Sequence, residues 1–456
     1  KFLIQISYMG YETFSQSVDF SKIGTTDFAL QPSVIEGREV VITGIANSSD
    51  NRQNSTSIAT VNKSSLQTRP STNLIDAISR VPGVSQITTG NAISKPVIRG
   101  LSGNRVITLN NGVKQQGQQW GDEHGIEIDQ YSADRVEILR GPASLLYGSD
   151  ALGGVINILE AIPAPVGTME GEFLTNYATN SGLSGTSLML QGNENGFVYH
   201  ARGSYKNAHS YQTPTGYVPN SGFNETNFNA QLGFNKAWGY AHLDLSRFRT
   251  NIGFYEPAVN DAGQFIDENG DVFTRTQFKD RHLDFPQQDI RHDKIALNSN
   301  ILFDKGSLKT ILGYQRNQRR ELEEPVADPA LFLDMHTYNY DFKYTFIGNN
   351  GWTPVVGVSG EFIHSTNTSG MEALIPDFDA QSYGAFVYVK KTLNKHTFNA
   401  GARFDYRKLE GKAHRAEGEL IFDDFSNKFS NLSGGVGYTY EFNDAFSLKA
   451  NAGSAF

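Results

Sequence analysis

Cysteine is absent from the 456 residues, which excludes disulfide scaffolds, cysteine-ligated zinc sites and thiol catalysis, and leaves the redox compartment open. Also missing is any run of about 18 apolar residues of the kind a membrane helix needs. The best stretch, Ala151 to Leu159, is short and interrupted by Asn157, so a helical membrane protein is excluded. Excess positive charge is lacking too: the net charge is -9 with both signs interspersed, which offers nucleic acid no basic surface. No signal peptide is visible. Lys1-Phe2-Leu3-Ile4-Gln5-Ile6 already alternates like the middle of a strand, so the chain is expected to begin after a processed or missing segment.

What is plentiful points to β-structure. There are 45 Gly, 30 Phe and 20 Tyr against a mean hydropathy of -0.40, so large rings and turn formers occur without the aliphatic surplus of a large globular core. Residues 1–30 read as two or three strands, with Phe2, Ile4 and Ile6 on one side, too few to bury a core alone and suggestive of the tail of a small sandwich. Glu39, Val40, Val41, Ile42, Thr43 and Gly44 form a short β-prone stretch, which by itself reads as one more such strand. A linker rich in Ser, Asn and Thr follows to residue 65.

From residue 66 to about 160 the texture is that of a compact α+β domain. Ser71-Thr72-Asn73 caps a short helix whose Leu74, Ile75 and Ile78 share a face, and Pro82-Gly83 stops it. Short strands are expected at 96–99, 105–109, 135–139 and 154–158, separated by turns at Asn110-Asn111-Gly112 and Gly141-Pro142.

Beyond about 165 the pattern repeats. Phe398, Ala400, Ala402, Phe404 and Tyr406 alternate with Thr397, Asn399, Arg403, Asp405 and Arg407, one face apolar and the other strongly polar. Tight turns such as Asp304-Lys305-Gly306 and Asn394-Lys395 take turns with long loops near 207–223, 255–290, 321–335, 367–380 and 411–430. Short turns on one side, long loops on the other and strands of spanning length are the pattern of an outer-membrane β-barrel rather than a soluble sandwich. About 13 strands fit between 168 and 456. A single-chain bacterial barrel closes with an even number, so the expectation is a partial barrel, cut within its last strand.

At this point a family emerges. The motifs Asn73 to Val84, Val97-Ile98-Arg99-Gly100 and Arg135-Val136-Glu137-Ile138-Leu139-Arg140-Gly141-Pro142, followed by Ala151 to Asn157, resemble those of the TonB-dependent outer-membrane receptors. The resemblance covers residues 39–456. It implies a plug domain at 66–162 inside a transmembrane barrel of 22 strands, of which 163–456 supplies the N-terminal part. It also changes the reading of Glu39 to Gly44, which now looks like the TonB box, with its linker spanning 37–65. That segment pairs with the energy-coupling protein of the periplasm by β-augmentation. Residues 1–36 are similar to the end of the regulatory-like sandwich carried by many Bacteroidetes receptors. The motif residues Arg99, Arg135, Arg140 and Glu137 are expected to face a polar barrel wall or simply to stabilise the plug.

The most unusual segment is Gln115 to Asp129. Asp122, Glu123 and His124, with Glu127 close by, are oxygen and imidazole ligands suited to Zn, Ni or Fe ions, and the segment resembles the Asp-His loop of the family's zinc receptors. Gln119 and Trp120 would equally suit a chelate or sugar, and His124 could serve only as a hydrogen-bonding plug residue. The long loops contribute His209, His282 and His336 as further candidate ligand-binding residues, along with His292, against the plainer reading of solvated loop charge. An enzyme embedded in the barrel is a further class, but no Ser/His/Asp or paired-carboxylate constellation stands out, so no enzyme is expected; nor is an intrinsic cofactor, with outer-membrane lipids as surroundings. The resemblance implies energy-coupled import of a metal ion or metal chelate as cargo, such as zinc, siderophore-iron or haem. An oligosaccharide or peptide receptor is the alternative within transport, and a passive porin or adhesin the alternative outside it.

Overall fold

A computed structural model describes residues 2–6, 14–18, 40–41, 49–50 and 54–456, the last range apart from 69–70, 118–120, 122–123, 142–143, 149, 255–257, 268, 325–327, 349, 368–372, 417, 444–445 and 455–456. Near the N-terminus β1 (Phe2–Ile6) pairs with β2 (Phe14–Val18), and β3 (Val40–Val41) with β4 (Ser49–Asp50), both antiparallel. Val40 and Val41 of the expected coupling segment are thus in a strand. Glu39, Ile42, Thr43 and Gly44 lie outside the described residues.

The plug comprises β5 (Ile58–Asn62), α1 (Lys63–Thr68), α2 (Leu74–Ile78), β6 (Val84–Thr88), β7 (Ser94–Ile98), β8 (Val106–Asn110), β9 (Val113–Lys114), β10 (Ala133–Arg140), α3 (Ser144–Tyr147) and β11 (Gly154–Glu160). Its sheet runs β5-β10-β11-β8-β9, with β11 parallel to β8. The expected capping is present: the Asn73 side chain accepts from the Asp76 N–H at 2.9 Å, and Leu74, Ile75 and Ile78 are buried. They pack with Val136, Ile138, Ile156 and Ile158 in the plug core.

Gly154 begins β11 with φ +148°, and a Cβ there would stand 2.2 Å from the Leu139 carbonyl oxygen. Gly154→Ala is therefore expected to cost the plug about 3 kcal/mol by forcing β10 and β11 apart. Limited proteolysis of the intact receptor would read this as early cleavage within the plug, and unchanged protection would contradict it.

The wall follows as β12 (Thr168–Ala178), β13 (Leu183–Glu194), β14 (Phe197–Ala208), the loop hairpin β15 (Gln212–Thr213) and β16 (Gly216–Tyr217), β17 (Phe223–Lys236), β18 (Gly239–Gly253), α4 (Arg275–Phe278), β19 (Gln287–Phe303), β20 (Gly306–Leu322), β21 (Leu331–Phe346), β22 (Trp352–Asn367), β23 (Phe378–Leu393), β24 (His396–Gly411), the hairpin β25 (His414–Ala416) and β26 (Glu419–Phe422), β27 (Phe425–Glu441) and β28 (Ser447–Gly453). Thirteen of these strands form one antiparallel sheet in chain order, omitting only the two loop hairpins. Strands of up to 17 residues outrun the roughly 9–11 needed to cross a bilayer. They therefore absorb residues that the sequence pattern assigns to loops, among them Glu321, His292 and His336.

Pairing register fixes which side chains share a face. Phe404 pairs with Ala385 and with Leu432, and Leu297 with Leu243 and Leu312, giving an outward apolar band. From Ile295 to Phe303 that band climbs about 20 Å at ~3.4 Å per residue and a ~40° tilt, close to the hydrocarbon thickness a barrel presents. A rim of rings caps it on the long-loop side: Tyr314 lies 5.0 Å from Tyr338, and Phe362 5.6 Å from Tyr383, ring centroid to centroid. Arg403, Asp405 and Glu361 face inward, towards the plug.

Candidate functional site

The segment after β9 turns back across the top of the plug and is held against the barrel wall by buried polar contacts. Glu127 is the centre. One carboxylate oxygen, Oε2, lies 2.8 Å from Nδ1 of His292 and accepts from the Asn317 amide; the other, Oε1, accepts from Nη2 of Arg319 at 3.2 Å. His292 stands on β19 and Asn317 and Arg319 on β20, at alternate positions that point inward. All three partners are buried, with the Arg319 side chain at 0% exposure. A guanidinium there is tolerable only with a carboxylate opposite it.

Neighbouring contacts extend the seam. Asp129 accepts from Ser204 Oγ on β14 at 2.9 Å. Lys206 pairs with Glu225 at 3.3 Å and lies 3.5 Å from Thr72 O and Gln130 Oε1 of the plug. On the other side, Lys114 bridges Asp150 at 2.6 Å and Glu361 of the wall at 3.1 Å, and Gln116 donates to Glu361 at 2.9 Å. Beside Lys114 an open recess lies between plug and wall, lined by Lys114, Tyr147, Asp150, Asp341, Arg403 and Arg407.

The residues singled out as ligand-binding fare differently. Gln119, Trp120, Asp122 and Glu123 lie outside the described residues. His124 is fully buried; burial, with Arg319 and Lys95 nearby, draws its pKa down to about 2, so the ring is neutral at physiological pH. Glu127, expected as a metal ligand, has both oxygens engaged by the wall. Among the described residues no group of three His, Cys, Asp or Glu could hold a metal ion.

The loop histidines do not converge. His209 is buried, with Nδ1 2.8 Å from the Ser210 carbonyl. His282 is exposed, its backbone N–H donating to Asp280 at 3.0 Å. His336 is a correction: it lies within β21 rather than in a loop. It pairs between Arg316 and His364 on the outward face, 2.9 Å from Tyr314 Oη.

The plug motif is also redistributed. Arg140 is spent inside the plug, on Pro82 O at 2.7 Å and Ser57 Oγ at 2.6 Å, rather than on the wall. Arg135 pairs with the buried Glu137 at 3.2 Å. Arg99 and Gly100 are exposed and Gly141 is buried, and Pro142 lies outside the described residues. The wall partners Arg319, Asn317 and Glu361 escaped the sequence reading altogether. Their only signal is inward alternation, Gln315, Asn317 and Arg319 two apart, which marks a lumen face without saying what it meets.

A plug docked by charge and amide contacts onto the inner face of a long-stranded antiparallel wall, with an apolar band outside, defines a plugged outer-membrane β-barrel. Residues 50–155 match the TonB-dependent Receptor Plug Domain, and residues 170–456 match the TonB dependent receptor-like, beta-barrel family. The chain belongs to the TonB-dependent receptors of the outer membrane, a family of receptors and transporters rather than enzymes. It is 37% identical over 110 residues to the iron-regulated outer membrane virulence protein of Vibrio cholerae, a match covering 23% of this chain and 17% of that protein. Among solved structures it resembles the copper transporter OprC at a TM-score of 0.69 and 16% identity, covering 87% of this chain and 63% of the other. It resembles FpvA of P. aeruginosa, solved with a pyoverdine-iron complex, at 0.70 and 16%, covering 90% and 58%. The chain thus spans less than two thirds of these relatives.

Proposed function

We propose that the protein is the plug and partial barrel of an energy-coupled importer whose cargo is a metal chelate, of the siderophore-iron or haem kind. The observation that carries the coupled mechanism is the chemistry of the plug–wall seam. Glu127 with Arg319, Asp129 with Ser204 and Lys114 with Glu361 are polar and directional. Water can replace such contacts one at a time as the plug is pulled, whereas a large apolar interface would have to be exposed at once. The pull would enter through residues 39–44, the segment that contains β3, presented to the TonB complex for pairing as an added strand. In this reading 1–36 is a sandwich remnant of the Bacteroidetes type, 37–65 the coupling segment and linker, 66–162 the plug and 163–456 the wall.

A chelate is favoured over a bare ion because Glu127 is committed to Arg319 and His292, which leaves the apex to recognise cargo by surface and hydrogen bonding. Among the similar proteins, one is named a copper transporter, one was solved with a pyoverdine-iron complex and one is named iron-regulated, which supports a metal-linked cargo. Calorimetry on the full-length receptor with zinc, a ferric chelate and haem is the test. Saturable binding of a chelate and not of zinc is expected. Zinc binding lost on replacing Asp122 and His124 with Ala would return the site to a bare-metal reading, and binding of an oligosaccharide or peptide alone would overturn the metal reading.

A further inference from the structure

The outward face of the wall changes character just beyond its aromatic rim. On β19 the outward positions run Phe303, Ile301, Ser299, Leu297 and Ile295, then Asp293, Arg291 and Asp289. On β20 they run Leu312 and Tyr314, then Arg316, Gln318 and Arg320; on β18, Leu243 and Leu245, then Arg247 and Arg249. Three guanidiniums converge on one carboxylate: Arg249, Arg291 and Arg320 stand 3.5, 3.2 and 3.6 Å from Asp289. The Asp289 side chain is 9% exposed, whereas Arg249 is 48% and Arg291 38% exposed, so the carboxylate is underneath and the cations are presented outward. Arg320 is steadied by the Phe332 ring, 4.5 Å away. Arg247 pairs with Asp293 and Arg316 with Asp334, each at 2.6 Å, so the two unmatched charges belong to the Asp289 group.

Arginine on a barrel's lipid face costs about 2–4 kcal/mol at mid-bilayer and little at the interface, so this group is placed where a barrel can carry it, at headgroup depth. Exposed ion pairs contribute little to stability, typically about 0–1 kcal/mol, so three arginines gathered on one acid are not explained as a fold-stabilising device. Guanidiniums match phosphate oxygens in bidentate geometry, and a two-charge excess beside a membrane surface attracts an anion of that shape.

We propose that Arg249, Arg291 and Arg320 form a binding site on the outer wall for the phosphate of a phosphorylated lipid headgroup in the outer leaflet, with the lipid's acyl chains lying along the band below Tyr314. Nothing in this depends on the cargo, so it stands or falls separately from the import reading.

The test is native mass spectrometry of the full-length receptor released from nanodiscs of phosphatidylcholine doped with a bisphosphorylated lipid A, or with the same lipid enzymatically dephosphorylated. Selective retention of the phosphorylated form is expected. The double variant Arg249→Gln/Arg320→Gln is expected to lower that retention at least about tenfold, the loss of two charge-assisted contacts. Arg249→Lys/Arg320→Lys, which keeps the charge and removes the fork, is expected to fall between the two and covers the case in which the Gln variant fails to fold. Equal retention of the dephosphorylated lipid, or unchanged retention in a folded variant, would overturn the proposal. So would retention of no lipid at all, which would point to a protein partner on this face.

Discussion

Deletion of residues 39–44 from the full-length receptor is expected to abolish energised uptake of its cargo while leaving equilibrium binding within about twofold, under 0.5 kcal/mol. The asymmetry follows from where the segment lies. It precedes the plug in the chain, whereas Gln116, Glu127 and Asp129 of the seam are held by Glu361, His292 and Ser204 of the wall, so the binding surface is expected to stay in place. What disappears is the strand through which force from the periplasmic partner would be delivered. Uptake by whole cells with and without a collapsed proton gradient, beside binding to purified receptor, separates the two effects. Uptake that survives both the deletion and collapse of the gradient would sink the coupled-importer reading and favour a passive pore.

The second large effect is expected at Glu127. Glu127→Ala removes the acid from a buried cluster and leaves Arg319, at 0% exposure, and His292 facing each other across the gap. Breaking a buried pair by removing one partner costs about 3–5 kcal/mol, and here that cost falls on the docked state of the plug apex rather than on the barrel. Hydrogen exchange across residues 124–132 should therefore accelerate by roughly two to four orders of magnitude, while exchange in the plug sheet β10 and β11 stays slow. Glu127→Gln keeps one acceptor oxygen for Arg319 or Asn317 and is expected to show a smaller acceleration. Unchanged exchange in the Ala variant would mean that Glu127 does not latch the apex. The latch also bears on the proposed mechanism, since cargo that loosened this cluster would ease release of the plug from the wall.

Some of this architecture is written in local pattern. The helix of Leu74 to Ile78 is visible because its cap and its apolar face are neighbours in sequence. The wall is visible because period-two alternation survives over its strands, twelve of the thirteen being 11 to 17 residues long. Even the inward set of β24 is readable, since Arg403 and Asp405 on one side and Phe404 and Tyr406 on the other leave no second interpretation.

Other features resist such reading. His336 sits in a polar stretch, Asp334 to Asn339, that looks like loop, yet it is a strand residue on the outward face, because a strand that continues past the bilayer no longer needs apolar residues there. Arg140 belongs to a motif near a polar wall but bonds to Pro82 and Ser57, which lie 58 and 83 residues away in sequence.

What the sequence by itself determined is the kind of object: no disulfides, no membrane helix, a small α+β domain followed by a membrane barrel wall, and the motifs of the TonB-dependent receptors. These depend on composition, short-range periodicity and contiguous motifs, which need no knowledge of distant contacts. Only the tertiary structure decided what the charged residues do. Glu127 meets His292 and Arg319 across separations of 165 and 192 residues, and Asp289 gathers three arginines from three strands. An ion pair depends on distance and dielectric, and both are properties of the folded chain that no window of sequence contains.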